Sequence, residues 1–148
     1  MTMLRKAFLV LNLLLGAVLA LTPFVLFPVC GPMPNGKYMM CHYSGIFIAG
    51  MGALIVVLSL LALWGHRKRW AASLSGVLSI VAALLCYLVP MRTLVIGDKA
   101  TMGWECGLCK AADMACHTTT MPAVTVLVSA LVLVNVFALI HGFVGRGR

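Results

Sequence analysis

Four stretches of this sequence, 7–29, 45–64, 70–90 and 122–142, each run for about twenty residues without one Asp, Glu, Lys or Arg. A helix rising 1.5 Å per residue needs about twenty apolar residues to cross a hydrocarbon core of roughly 30 Å. Backbone groups in lipid must be paired within the segment, so runs of this kind are expected as helices. Only 9% of the residues are charged, against about 25% in a typical soluble domain. The expectation is an all-α membrane protein: one domain over 1–148 with four transmembrane helices and no room for a separate soluble domain. The first run has a basic start, and Val18-Leu19-Ala20 resembles a signal-peptidase site. The run continues to Val29, however, and removing it would break the repeat described below. It is therefore read as a span.

The charges set the expected orientation. Arg5 and Lys6, then Arg67, Lys68 and Arg69, then Arg146 and Arg148 place seven cations and no acid on three segments. The other two loops mix Lys37, Arg92, Lys99 and Lys110 with Asp98, Glu105 and Asp113. The positive-inside rule puts both termini and the 65–69 turn in the cytoplasm. The net charge of +8 is then mainly a topology signal, and no nucleic-acid partner is expected. Pro23 and Pro28 are expected to kink or end the first helix and Pro90 to end the third. Pro122 suits the first turn of the fourth.

Two tetrads in the outer loops are near copies. Met39-Met40-Cys41-His42 recurs 75 residues later as Met114-Ala115-Cys116-His117. A Cys-Gly pair precedes each, at Cys30-Gly31 and Cys106-Gly107, and His66 and His141 share the same offset. The pattern predicts two helix-loop-helix repeats, about 5–69 and about 70–148. Each contains two helices, so both start on the same side of the membrane. They would be parallel, related by a pseudo-twofold along the membrane normal, with their outer loops meeting over the bundle axis. Gly45, Ala49 and Ala53, and likewise Ser75, Ser79 and Ala83, offer small-residue faces for close helix packing. Asn12 and Asn135 are expected to hydrogen-bond between helices. His66 and His141 are expected at the cytoplasmic interface and Trp104 at the outer one.

Three chemistries remain open for the outer loops. The first is a metal or haem site built from Cys41, His42, Cys116 and His117, with Met39 and Met114 as softer neighbours. Thiolate and thioether favour Cu(I), and imidazole suits copper, zinc and iron. Copper, iron or haem is the expected group, although the Cys-x-x-Cys-His signature of covalent haem is absent. The second is structural disulfides in an oxidising compartment, with Cys30–Cys41 and Cys106–Cys116 as the pairs that respect the repeat. The third is thiol–disulfide exchange at Cys106-Gly107-Leu108-Cys109, a Cys-x-x-Cys of the kind that lowers a thiol pKa. Cys86 lies within the third span and has no assigned role. Paired carboxylates, a Ser-His-Asp set and a phosphate loop are all missing, so an enzyme is not the expectation.

The run from Phe27-Pro28-Val29-Cys30 through Met39-Met40-Cys41-His42 and Cys106 to Met114-Ala115-Cys116 and Thr120-Met121-Pro122-Ala123 resembles a bacterial family. Its members are small four-helix membrane proteins classed as a domain of unknown function. The Cys-x-x-Cys at Cys109 departs from that pattern. The resemblance implies the bacterial inner membrane, and association with ABC-type permeases and metal-handling systems. The expected function is an inner-membrane accessory protein that binds or hands on a metal ion or haem at its outer face, beside a transporter. The alternatives are a membrane thiol–disulfide oxidoreductase and a disulfide-stapled structural subunit of a membrane complex.

Overall fold

The computed structural model describes residues 3–64, 69–98, 100, 102, 104–110 and 113–144. It contains four helices: α1 (Met3–Leu21), α2 (Met40–Trp64), α3 (Arg69–Leu88) and α4 (Met121–Val144). Helix α1 packs against α2 and α4, and α3 against the same two, so the helices close a four-membered ring. Three apolar segments are long enough to cross a membrane: Met3–Leu26, Met40–Trp64 and Cys116–His141. The apolar stretch of α3 is shorter, Ser73–Leu88. Large apolar side chains also face outward, including Val10, Leu14, Leu54, Leu61, Leu133 and Phe137. That outer surface suits lipid, because helices apolar on all sides need an apolar surrounding. His66 and the basic segments around 65–68 and 145–148 lie outside the described residues. His141 is exposed and packs edge-on against Phe137.

Two helix ends differ from the hydropathy boundaries, for local reasons. Pro23 has no N–H to continue α1, and the chain widens into a π-helical turn over Thr22–Leu26. There Phe27 N–H donates to the Thr22 carbonyl at 2.8 Å. A second π-helical turn, Cys116–Thr120, leads into α4 ahead of Pro122. Helix α2 begins at Met40 rather than near Gly45. His42, Tyr43 and Ser44 lower hydropathy without breaking a helix, so both tetrads run into helical turns. The same backbone bond forms in each: His42 N–H to the Met39 carbonyl at 3.0 Å and His117 N–H to the Met114 carbonyl at 2.9 Å. The long second loop also carries a short antiparallel ribbon, β1 (Gly97–Asp98) with β2 (Trp104–Glu105). Gly97 sits at φ +87° with Trp104 across it, leaving no space for a Cβ.

The middle of the bundle is solid. Leu19, Ile48, Ile55, Ala83, Val124 and Leu131 form its apolar core. Where α1 crosses α2, a Cβ on Gly52 would lie 2.6 Å from the Ala20 backbone nitrogen. Close packing here uses Gly16 and Gly52, whereas Ala53 of the small-residue face anticipated on this helix is exposed. Ser75, Ser79 and Ala83 are all buried, as their spacing anticipates. Nearer the termini one polar knot joins all four helices. Asn12 Nδ2 donates to Ser59 Oγ at 3.0 Å and to Ser79 Oγ at 3.2 Å, and Asn135 Nδ2 donates to Asn12 Oδ1 at 2.7 Å. Among the described residues no buried side-chain polar atom lacks a partner, which matters because an unmet group in an apolar interior is costly.

Candidate metal centre

At the bundle end opposite both termini, four cysteines from four segments converge. Cys30 follows the π-helical turn of α1. Cys41 is in the first turn of α2. Cys109 lies in the second loop, and Cys116 opens the π-helical turn before α4. Their four sulfurs all lie within 4.8 Å of one another. Cys109 Sγ is 3.0 Å from Cys41 Sγ, 3.8 Å from Cys30 Sγ and 3.8 Å from Met39 Sδ. Cys41 and Cys116 are buried, Cys30 and Cys109 partly so. No two of these cysteines are bonded. Around one ion at about 2.3 Å, a tetrahedron of sulfurs has edges of about 3.8 Å. The observed spacing therefore fits the size of a single-ion cage, and too little room is left between the sulfurs for a porphyrin.

Hydrogen bonds from neighbouring side chains hold the cage. One helical turn after Cys41, Ser44 Oγ accepts from Gly107 N–H at 2.8 Å and donates to the Gly107 carbonyl at 3.0 Å. Both bonds are buried, and they pin the 106–109 turn onto α2. His117 Nε2 lies 2.7 Å from the Cys109 carbonyl. A carbonyl only accepts, so that nitrogen carries the proton and is not a free metal ligand. Four residues after Cys116, Thr120 Oγ1 donates to the Phe27 carbonyl at 3.1 Å and ties the π-helical turn before α4 to the segment leading to Cys30. Supporting contacts of this kind orient metal ligands and tune the site.

The electrostatics favour a cation. Burial works against a Cys30 thiolate, but hydrogen bonds from Cys41, Cys109 and Cys116 outweigh it and hold the Cys30 thiol below its ordinary pKa. Burial pushes the Cys109 thiol up, and the neighbouring Cys41 and Cys116 push it further. Two unit charges about 4 Å apart repel by roughly 4 kcal/mol near a protein surface. Repulsion of that size opposes a second thiolate in the cluster, and a positive ion between the sulfurs would offset it.

The candidate ligands read from the sequence are divided by this geometry. Cys41 and Cys116 come together, with Met39 at contact distance from the cluster. His117 touches it only through the Cys109 backbone. His42 stays outside, with its ring stacked on Tyr38 at 4.1 Å between centroids and edge-on to Phe24. Met114 lines a neighbouring cleft. Cys30, considered for a disulfide, and Cys109, considered for redox exchange, complete the set of four. Cys106 is buried outside it, with its N–H bonded to the Ile96 carbonyl at 2.9 Å. Burial raises the Cys106 thiol pKa, a hydrogen bond with Ser44 opposes this, and Glu105 adds to the rise. Ser44 and Thr120 are supporting residues that sequence reading did not single out. Their only signal is a hydroxyl one turn beyond each tetrad cysteine.

A family model described as Domain of unknown function (DUF4418) matches residues 12–143, and the chain belongs to that family. No match was found among curated proteins or among solved structures.

Proposed function

We propose that this protein holds a thiophilic metal ion between Cys30, Cys41, Cys109 and Cys116 on the outer face of a bacterial inner membrane, and hands it on there. The observation that carries this reading is the convergence of four sulfurs, drawn from four segments, to the dimensions of one ion. A set of soft thiolates selects copper(I), zinc or iron over hard cations. The seven cations on the terminal and 65–69 segments support cytoplasmic termini and an outward-facing cysteine cage. A duplicated helix-loop-helix unit is supported by the matching positions of Cys41 and Cys116 and by the backbone bond common to both tetrads. The packed core beneath the cage argues for exchange at the outer surface rather than passage through the bundle. That suits an accessory to a transporter, and the family resemblance makes an ABC-type permease the partner to test by co-purification.

The test is metal content of protein purified under reducing conditions, by elemental analysis, in the wild type and in Cys41→Ser, Cys109→Ser and Cys116→Ser. One ion per chain, lost in each variant, is expected. Full metal content in Cys109→Ser would contradict a four-cysteine cage. The 3.0 Å approach of Cys41 and Cys109 favours one second reading, a thiol–disulfide exchange centre at that pair. It predicts a Cys41–Cys109 bond after mild oxidation and no metal in the wild type.

A further inference from the structure

Beside the cage lies a cleft of ≈ 320 Å³ that reaches Cys109. Four of the ten methionines of the chain line it: Met33, Met39, Met40 and Met114. They come from three places, the first loop, the start of α2 and the approach to α4, so local sequence bias does not explain their meeting. The Met39 sulfur is 3.8 Å from Cys109 Sγ. The Met40 sulfur lies over Gly107, where a Cβ would stand 3.6 Å from it. A carboxylate also lines the cleft, that of Glu105, but it is ion-paired with Arg92. The void between the cage and the core is by contrast ≈ 10 Å³, about the size of one water. The cleft is thus an open approach to the sulfurs at Cys109.

We propose that this cleft is a thioether entry and exit path for copper(I), and that it makes the four-cysteine cage a copper(I) site in use. This deepens the metal-binding reading above and rests on it. Four thiolates alone accept zinc, iron or copper(I). Neutral thioethers bind copper(I) well and give zinc little, and a carboxylate engaged by an arginine offers little to a hard cation. A copper(I) ion held by methionine sulfur at the mouth exchanges those bonds for thiolate bonds at Cys109 and then at the cage. Each thiol that binds releases its proton to water. The ion stays monovalent throughout, so no oxidant or reductant takes part.

Metal transfer from a colorimetric copper(I) chelator, followed by stopped flow under anaerobic reducing conditions, tests this on the full-length protein in detergent. Zinc transfer from a zinc chelator is followed in parallel. The variants are Met39→Leu alone and Met39→Leu/Met40→Leu/Met114→Leu together. Leucine conserves volume and apolarity, and thermal unfolding of each variant checks that the fold is kept. The expected result is copper(I) uptake slowed at least tenfold in the triple variant and measurably in the single one, with zinc uptake within twofold of wild type. Equal slowing of both metals, or slowing of neither, would overturn the thioether path while leaving the cage standing. A wild-type protein that takes up neither metal would overturn the cage itself.

Discussion

Ser44→Ala should weaken metal binding without touching a ligand. The hydroxyl makes two buried hydrogen bonds to Gly107, one in each direction, and those bonds fix the turn that delivers Cys109. Removing the hydroxyl leaves a backbone N–H and a carbonyl unmet, at about 1–3 kcal/mol each if both stay buried. The turn lies at the open end of the bundle and can swing toward water, so the lower bound of about 2 kcal/mol is the better guide. That energy must be recovered each time the ion closes the cage, and at 1.4 kcal/mol per tenfold it lowers affinity about thirtyfold. The value falls within the roughly 10–100-fold typical of groups that orient metal ligands. The assay is competition with a chromophoric chelator under reducing conditions, in the variant and the wild type. Affinity within twofold of wild type in Ser44→Ala, alongside loss of binding in Cys109→Ser, would refute the idea that Ser44 positions the fourth ligand.

Three further outcomes are expected. His117→Ala, which removes the bond to the Cys109 carbonyl, should weaken metal binding several-fold, whereas His42→Ala should leave it within twofold; chelator competition separates the two. Asn12→Leu should lower stability by about 1–3 kcal/mol, because the Ser59, Ser79 and Asn135 side chains lose a common partner. Thermal unfolding in detergent reads this out. Gly52→Val should destabilise by about 1–3 kcal/mol through forced separation of α1 and α2. Gly50→Ala, inside the same helix with open space around it, should be neutral or raise stability by up to about 1 kcal/mol in the same assay.

The four helices could be read from the sequence because a long uncharged apolar run has few physical outcomes other than a helix, and three of them are long and apolar enough to cross a membrane. The helix ends could not be placed as well. Hydropathy falls at His42 and Ser44, but helix geometry continues through them. The tetrads pointed to the bundle end where the four cysteines gather, since Cys41 and Cys116 occupy the first turns of their helical segments and their sulfurs converge. The choice of partners was hidden. Cys106 takes the place of Cys30 in the second repeat, yet it is buried outside the cluster, and Cys109 completes the set of four. That choice is fixed by Ser44 gripping Gly107 across 63 residues of sequence, a contact that no local pattern records. His42 looked like a ligand by composition. Tyr38 and Phe24 hold its ring elsewhere, and only tertiary packing reveals that. Asn12 and Asn135 stood out as polar residues in apolar helices, but that they bond to each other, 123 residues apart, is a matter of tertiary packing.

X-ray absorption at the metal edge of the reduced, metal-loaded protein tests the central claim most directly, because it reports the atoms bound to the ion. A four-cysteine cage gives a coordination sphere made only of sulfur, at about 2.3 Å, that loses a scatterer or disappears in Cys30→Ser and in Cys109→Ser. A coordination sphere containing imidazole nitrogen at about 2.0 Å, unchanged in those two variants and lost in His42→Ala, would contradict it.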